Sequence, residues 1–267
     1  LLPSPFPLPL ALSFSVPAPS LSRASSFLPS HPRFQHYRAI LLYAPFLLLL
    51  QNSLLLSAGT VLVAMLCAVT AAYACSRWRF RGRRPVLRAL LVLNAFPQVL
   101  SLFAYYRILR LGGLLNSHAG LILIYAGSMC VFGIWNMKGY FDTIPVEIEE
   151  ASKIDGANDA QMIWKIVLPL AKPAIVVTCV MVLITVWNEY LFATTFLLDS
   201  KFYSLAGGLY QLQSNDYTRS WPLFTAASIL ASIPLLLIVF TLPKSMSSGP
   251  TVVGVNRRLR TRHATST

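Results

Sequence analysis

The sequence predicts an all-α membrane protein built from six membrane-spanning helices. Its 267 residues are 55% hydrophobic and only 12% charged, about half the charged fraction of an ordinary soluble domain. Apolar runs of roughly the 20 residues that cross a bilayer recur along the chain. The backbone of such runs has no water to bond to, which favours helices. The basic residues lie mainly between the runs, as is typical of a protein that crosses the membrane several times.

The first predicted span, residues 1–18, is a truncated or degraded helix. The opening stretch LLPSPFPLPLALSFSVPAPS is apolar but contains six prolines, and proline removes backbone donors and bends helices. We still count this span, because the charge pattern places the segment before residue 46 outside, and a cytoplasmic N-terminus then needs one more crossing. We assign residues 1–35 to a degraded first span and an outer segment, with a signal-like segment or a misassigned start as alternatives.

Five clearer spans follow within residues 36–243, which we assign as the transmembrane domain. Each approaches or exceeds the length needed to cross the bilayer, and their predicted limits are 46–74, 86–106, 118–137, 173–197 and 222–243. Residues 94–97, Asn-Ala-Phe-Pro, predict a kink in the second of these spans, because proline leaves a backbone carbonyl without its partner. Residues 244–267 are assigned as a basic cytoplasmic tail.

The distribution of arginine and lysine predicts which loops face the cytoplasm. Six arginines lie between residues 77 and 88, four lysines lie between residues 138 and 172, and the tail adds further basic residues. These regions alternate between successive spans, so all of them can lie on the cytoplasmic side, where positive charge accumulates. The C-terminus is then cytoplasmic. Because the net charge of +13 lies between apolar spans, it does not indicate nucleic-acid binding.

Motifs for catalysis or metal binding are absent from the sequence. The four cysteines lie in or beside apolar runs, and none forms a CxxC or Cys/His spacing. There is no GxSxG, HExxH or Walker A motif. We therefore predict neither an enzyme nor a cofactor nor a metal site.

Residues 142–172 form a polar segment that holds six of the nine acids. The stretch IPVEIEEASKIDGA predicts a short helix with acids in its first turns, where they suit the positive helix N-terminus. Pro145 lies near the first helical position, and Gly156 lies where a chain turns at a helix C-terminus. The stretch NDAQMIWKIVLP predicts a second, amphipathic helix that Pro169 breaks or bends. The residues alone leave two alternatives, a solvated loop and a docking surface for a cytoplasmic protein.

Part of this segment resembles the EAA motif of the membrane subunits of bacterial ABC importers. Glu150-Ala151-Ser152, Gly156 and Ile166-Val167-Leu168-Pro169 follow the pattern E-A-A-x3-G-x9-I-x-L-P, with Ser152 replacing the second alanine. The stretches IWNMKGYFDTIPVEIEEA and VWNEYLFATTF resemble the carbohydrate branch of these permeases. The stretches GLILIYAGSMCVFGIWNMKGYFDTIP and LAGGLYQLQSNDYTRSWPLF resemble the smaller permease subunit of maltose/maltodextrin importers.

The resemblance implies a type I ABC importer permease bundle in the bacterial cell (inner) membrane, with a cytoplasmic coupling helix between spans four and five. The chain would be the permease subunit of an ATP-driven importer of maltose, maltodextrin or a related oligosaccharide, and would form half of the translocation pathway. Its partners would be two ATP-binding subunits, a homologous second permease and an extracellular or periplasmic sugar-binding protein. The expected coupling residues are Glu149, Glu150, Ala151, Ser152, Asp155, Gly156, Ile166, Leu168 and Pro169.

Two further groups of residues are candidates for handling the sugar. Polar side chains within spans predict a cavity or a partner, and we expect Asn94, Gln98, Asn188 and Glu189 to line the pathway, with helix packing as the alternative. Residues 205–216 predict an outer loop in which a glycine pair permits a tight or extended approach. By the resemblance this loop reaches the binding protein, and the alternative is a plain loop; its candidate residues are Gly207, Gly208, Tyr210, Gln211 and Gln213.

Two other functions remain as alternatives. A secondary transporter would need paired titratable groups within the spans or an inverted repeat, whereas the sequence offers only Glu189 and no repeat. A non-functional fragment of a permease is the second alternative, because residues 1–35 and 244–267 both depart from the family pattern. The sequence does not fix which sugar is carried.

Overall fold

The computed structural model describes residues 35–42, 44–214 and 221–241. All the long regular elements in these ranges are helices, joined by short turns that include two 3₁₀ turns at Gln98–Ser101 and Ser200–Phe202. The helices are α1 (Gln35–Leu42), α2 (Ala44–Arg77), α3 (Arg83–Ala95), α4 (Leu102–Leu111), α5 (His118–Phe141), α6 (Val146–Ile154), α7 (Asp159–Asn188), α8 (Leu191–Phe196), α9 (Leu205–Ser214) and α10 (Trp221–Thr241).

Four of these helices are long and apolar enough to cross a membrane. They correspond to the spans predicted at 46–74, 118–137, 173–197 and 222–243, and they cover Pro45–Arg77, His118–Phe141, Asp159–Asn188 and Trp221–Thr241. Their existence is therefore confirmed. The span predicted at residues 1–18 and the basic tail at 244–267 lie outside the described residues.

The span predicted at 86–106 is a bent pair of helices. Helix α3 and the following segment Gln98–Leu111 meet at 95°. Phe96 has an extended backbone, with ψ of 131°, because the residue before a proline is disfavoured in the helical conformation. Pro97 is extended as well, with ψ of 115°. The kink predicted at residues 94–97 is confirmed. It is sharper than expected, because the chain turns a corner there and does not continue as one kinked span.

Helix α7 differs from the prediction at both ends. It begins at Asp159, so the predicted second helix of the acidic segment is the start of the next span, and Pro169 does not end it. A π-helical turn at Ile163–Val167 ends two residues before this proline and contains Lys165, whose carbonyl the proline ring would otherwise crowd in a regular helix. Helix α7 ends at Asn188, because the backbone of Glu189 is extended.

Helix α2 lies at the centre of the bundle, where it packs along α5 and α7. Every fourth residue along one of its faces is small and fully buried: Thr60, Ala64, Ala68 and Ala72. Small residues at this spacing let two helix backbones approach closely within a membrane. A Cβ added to Gly133 of α5 would lie 2.7 Å from the Cβ of Ala68. Helices α2 and α5 are therefore in close backbone contact.

The bundle has two polar ends. The basic end comprises residues 76–83 and 142–159, which are joined by hydrogen bonds from Ser76 to Asp142 and from Arg77 to Glu149. The opposite end, called the loop end, comprises residues 112–117 and 189–210, which are joined by a hydrogen bond from Asn116 to Asp199. The arginine-rich and acidic segments thus share one end, as the charge pattern predicts.

Candidate functional site

Helix α6 is the short helix predicted in the acidic segment. It begins directly after Pro145, whose φ of −58° suits a helix entry, and its first turn carries Glu147 and Glu149. The helix is nine residues long, too short to be stable without tertiary contacts. Its position therefore depends on what holds its two ends and its inner face.

Gly156 turns the chain at the end of α6. Its φ is 86°, in the left-handed region that glycine adopts at little cost. Its N–H donates to the carbonyl of Lys153 at 3.1 Å, and the N–H of Ala157 donates to the carbonyl of Ser152 at 3.0 Å. This pair of bonds is a Schellman motif. The predicted turn at Gly156 is confirmed, and its cause is the backbone conformation, since an added Cβ would meet nothing within 4 Å.

Asn158 then begins α7 with a capping box. Its side chain accepts from the N–H of Gln161 at 2.8 Å, and the side chain of Gln161 accepts from the N–H of Asn158 at 3.1 Å. Both orphan donors at the start of the helix are satisfied in this way. The turn between α6 and α7 is consequently fixed on both sides.

Glu149 faces the interior of the chain. Its side chain is 8% exposed, and its Oε1 lies 2.6 Å from Nε of Arg77 at the end of α2. Its Oε2 accepts a hydrogen bond of 3.0 Å from the hydroxyl of Tyr73. Arg77 also donates from Nη2 to the carbonyl of Ile144 at 3.0 Å. These bonds fix α6 to α2 through a buried ion pair.

A second, more exposed contact joins the same two regions. Asp142 accepts from the hydroxyl of Ser76 at 2.7 Å and from Nζ of Lys138 at 2.5 Å. Partial burial opposes ionisation, but these hydrogen bonds and the nearby charges of Lys138 and Arg83 outweigh it and hold the pKa of Asp142 below its ordinary value. The carboxylate therefore stays ionised between α2, α5 and α6.

The remaining EAA-motif residues divide into outward and inward positions. Ser152 is buried, and its hydroxyl donates to the carbonyl of Glu149 at 2.7 Å. Ile166 and Leu168 are half-buried in α7. The exposed positions are Glu150, Ala151, Asp155, Gly156 and Pro169. Large apolar side chains are exposed as well: Val146, Ile148 and Ile154 on α6, with Ile154 at 86%, and Trp164 on α7 at 71%. The outer surface of α6 is thus both acidic and apolar.

Glu189 caps the short helix α8. Its two carboxylate oxygens accept from the N–H groups of Phe192 at 2.9 Å and Ala193 at 3.3 Å, and the hydroxyl of Tyr125 donates to it from α5. The acid therefore stabilises the break between α7 and α8. This geometry corresponds to the packing alternative, and it leaves the expected pathway role of Glu189 as a prediction.

The other expected pathway residues lie at two interruptions of the helices, the break between α7 and α8 and the corner between α3 and α4. Asn188 is exposed and donates to the carbonyl of Ile184 in its own helix at 2.8 Å. Asn94 and Gln98 are exposed on either side of the corner between α3 and α4. Among the described residues, no hydrogen bond joins Asn94 or Gln98 to Asn188 or Glu189.

The segment expected to form an outer loop is mostly helical. Residues 205–214 form α9, and both glycines of the pair are buried within it. A Cβ on Gly208 would lie 2.4 Å from Leu49 of α2, and one on Gly207 would lie 3.2 Å from the hydroxyl of Ser204. The pair thus lies in a helix and not in an extended loop, but the tight approach that it permits is present, with Leu49 of α2 as the neighbour of Gly208. The contact with a binding protein stays a prediction.

Tyr210 and Gln211 are exposed on α9, whereas the side chain of Gln213 lies outside the described ones. The ring of Tyr210 stacks on Tyr190, with centroids 5.2 Å apart, and both side chains are nearly half exposed, at 47% and 45%. This stack is an aromatic surface at the loop end of the bundle.

Asn52 and Ser53 in α2 are functional candidates that the sequence reasoning missed. The amide of Asn52 donates to the carbonyls of Lys201 and Tyr203, both at 2.9 Å. The hydroxyl of Ser53 accepts from the N–H of Leu205 at 2.7 Å. Both side chains are buried. A polar pair within the apolar run LLLLQNSLLLS was the available signal, because polar groups are costly inside a span. Arg77 and Tyr73 carried no comparable signal.

Comparisons with known proteins agree with this architecture. A family model described as "Binding-protein-dependent transport system inner membrane component" matches residues 43–246. The galactooligosaccharides transport system permease protein GanQ of Bacillus subtilis is 35% identical over 234 residues, covering 86% of this chain and 83% of that protein. The maltose/maltodextrin transport system permease protein MalG of Vibrio vulnificus is 32% identical over 250 residues, covering 86% and 83%.

A solved structure supports the same assignment at the level of the fold. A chain in the crystal structure of a bacterial ABC transporter involved in the import of the acidic polysaccharide alginate matches with a TM-score of 0.75 and 26% identity, covering 89% of this chain and 88% of that one. The helical bundle, the matched family model and the similarity to these relatives lead to one conclusion. This chain belongs to the family of binding-protein-dependent transport system inner membrane components, the permease subunits of ABC importers.

Proposed function

We propose that this chain is the permease subunit of an ATP-driven oligosaccharide importer and that α6 is its coupling helix. The observation that carries the proposal is the geometry of α6, which is fixed to α2 on its inner face and turned sharply at Gly156. Its outer face exposes Glu150, Asp155 and Ile154. A short, firmly held helix with a mixed acidic and apolar outer face is suited to dock on a cytoplasmic ATPase subunit.

Each coupling residue has a part in this proposal that follows from its position. The exposed Glu150, Ala151 and Asp155 contact the ATPase subunit, and the exposed Ile154 and Trp164 supply apolar area. Glu149 and Ser152 act from inside by holding α6 in place. Gly156 sets the angle between α6 and α7, while Ile166, Leu168 and Pro169 form the start of α7 that moves with it. ATP hydrolysis takes place on the partner, in keeping with a sequence that contains no Walker A motif.

The substrate class is inferred from the named relatives. GanQ is named for galactooligosaccharides, MalG for maltose and maltodextrin, and the solved transporter for alginate. All of these are saccharides of more than one unit, so we infer that this importer carries an oligosaccharide, and maltodextrin is the first substrate to test. Asn94, Gln98, Asn188 and Glu189 remain the proposed polar groups of the pathway.

The proposed partners fit the surfaces that this chain leaves open. Helix α3 has no buried residue, and Leu91, Val92 and Leu93 are more than half exposed, which suits a second, homologous permease or lipid. At the loop end, α9 and the stack of Tyr190 on Tyr210 suit a sugar-binding protein outside the cell. The basic end and the C-terminus are then cytoplasmic. Rocking of the two permeases would open the pathway to each side in turn.

Reconstitution tests this proposal directly. The full complex, with the second permease, the ATPase subunits and the sugar-binding protein, is placed in liposomes with ATP, and uptake of labelled maltotriose is measured beside a labelled galactooligosaccharide. We expect uptake of at least one of these sugars that requires ATP and the binding protein. Uptake driven by an ion gradient without ATP, or no uptake of any oligosaccharide by the intact complex, would contradict the proposal.

A further inference from the structure

Helix α2 is attached to the polar segments at both ends of the bundle. At the basic end, Arg77 holds Glu149 of α6 and the carbonyl of Ile144, with the Arg77 side chain only 9% exposed. Ser76 adds its bond to Asp142 in the connection between α5 and α6. Because two consecutive residues of α2 bind that connection and α6, the helix end and α6 form one unit.

At the loop end, α2 holds the segment that leads into α9. Asn52, 6% exposed, donates both amide hydrogens to the carbonyls of Lys201 and Tyr203. Ser53, 3% exposed, accepts from the N–H of Leu205, the first residue of α9. Leu49, one turn earlier, packs against Gly208. One short stretch of α2 therefore binds residues 201–208 through three hydrogen bonds and a close contact.

The part of α2 between these attachments is rigid. It is a continuous helix without proline, and the 25 residue-to-residue steps from Asn52 to Arg77 extend about 37 Å at 1.5 Å per step. Gly59 lies against Ile122 of α5 and Ala68 lies against Gly133 of α5, so this part of α2 stays close to α5. Packed helices have discrete arrangements and do not deform continuously, so a displacement of one end of α2 is passed to the other.

We propose that α2 couples the coupling helix to the loop end, and that Asn52 and Arg77 are the positioning residues at its two ends. When the ATPase moves α6, the ion pair of Arg77 with Glu149 moves α2. The bonds of Asn52 and Ser53 then move residues 201–208 and α9. In the opposite direction, a binding protein that docks at the loop end displaces α9 and thereby α6. Equilibrium coupling between two sites is reciprocal in this way.

The inference rests on the proposed function and is tested in the reconstituted complex. The readout is the ratio of ATPase activity with and without the sugar-loaded binding protein. We expect Asn52→Leu to lower this stimulation about tenfold, within the usual range of coupling between sites. Assembly and basal ATPase activity should be unchanged. Asn136→Leu is the matched control, since it removes one amide bond, to Thr178 on α7, without touching either end of α2; its stimulation should equal that of the parent.

A charge exchange tests the other end of α2. Arg77→Glu and Glu149→Arg should each abolish the stimulation, and the double exchange, which restores opposite charges, should recover a large part of it. Recovery shows that the pair itself is needed, and unchanged basal ATPase activity in the assembled single variants distinguishes positioning from general loss of stability. If Asn52→Leu fails to assemble, Ser53→Ala removes only the acceptor of the Leu205 N–H and replaces it in the test.

The outcomes separate this inference from the proposed function. If the parent complex shows no stimulation by the loaded binding protein, the proposed function itself is wrong. If the parent is stimulated and Asn52→Leu and Ser53→Ala are stimulated equally, only the role of α2 is wrong. The double variant of Asn52→Leu with Glu149→Gln gives a further criterion. Its loss should not exceed that of the worse single variant, and additive losses would show that the two ends act independently.

Discussion

The ion pair of Arg77 and Glu149 shows how strongly a buried charge in this bundle depends on its partner. Both side chains are at least nine-tenths buried, and the carboxylate also accepts from Tyr73. A buried ion pair contributes little net stability compared with apolar residues, but removing one partner leaves an unpaired buried charge, which is far more costly. The pair therefore specifies where α6 lies more than it stabilises the fold.

We expect Arg77→Met to destabilise the protein by about 3–5 kcal/mol, because Glu149 would remain buried without its partner. Lys153→Met is the matched control, since it breaks the pair with Asp159, whose side chains are 55% and 78% exposed; exposed pairs contribute at most about 1 kcal/mol. Thermal unfolding of the purified complex in detergent measures both. Equal stability of the two variants would contradict the burial argument.

Gly156 has a backbone role that two substitutions can isolate. Its φ of 86° makes alanine unfavourable by about 1–2 kcal/mol, whereas asparagine tolerates this conformation better. Because nothing lies within 4 Å of an added Cβ, steric contact does not confuse the comparison. We expect Gly156→Ala to lower sugar uptake per ATP hydrolysed and Gly156→Asn to retain more of it. Identical uptake ratios in the parent and both variants would show that the turn is not needed for coupling.

The packing of α2 against α5 depends on small residues at the crossing. Gly133 and Ala68 approach so closely that no further carbon fits between them, which is how helices without a hydrophobic driving force associate in a membrane. The same principle explains Gly208 of α9, which lies against Leu49 of α2. Both glycines are needed for close approach between helices.

Gly133→Ala should therefore destabilise the bundle by about 1–3 kcal/mol through overpacking. Gly139→Ala, in the same helix, should be neutral or stabilising by up to about 1 kcal/mol, because alanine favours helix and an added Cβ meets nothing within 4 Å. Thermal unfolding of the two variants side by side gives the answer. A Gly133→Ala variant as stable as Gly139→Ala would refute the close contact.

The helices could be predicted from the sequence more reliably than their interruptions. Hydropathy located the spans, since their length is set by the bilayer, and Pro97 located the corner after α3. The end of α7 at Asn188 carries no proline or glycine that would have located it. Glu189 stabilises this break by capping α8 locally and by accepting from Tyr125, which lies 64 residues earlier in the chain. The glycine pair at 207–208 predicted an outer loop with a tight or extended approach, whereas it lies within α9, and the residue that Gly208 approaches, Leu49, is distant in sequence.

The candidate site shows the same division between local and distant information. The EAA spacing located α6 and the turn at Gly156, because both depend on neighbouring residues. It could not reveal that Glu149 faces inward, since Arg77 and Tyr73 lie more than seventy residues earlier in the chain. The hydrogen bonds of Asn52 and Ser53 to residues 201–205 are long-range contacts of the same kind.

Taken as one assembly, the chain places α6, the proposed docking helix, and α9 at opposite ends of a single bundle. The central helix α2 contacts both of these ends, and the apolar surfaces of α3 and α4 remain available for a second subunit or lipid. This arrangement suits a transporter in which an ATPase acts at the basic end and the sugar arrives at the loop end. It gives a specific expectation for which surface meets the ATPase.

Photo-crosslinking at Ile154 tests that expectation most directly. A photoreactive residue replaces Ile154, which is 86% exposed on α6, and in a parallel variant Leu111, which is 81% exposed near the loop end. We expect an adduct with the ATPase subunit at position 154, changing in yield when ATP is bound, and none at position 111. No adduct at position 154 with or without ATP, while the complex co-purifies intact, would contradict the coupling role of α6.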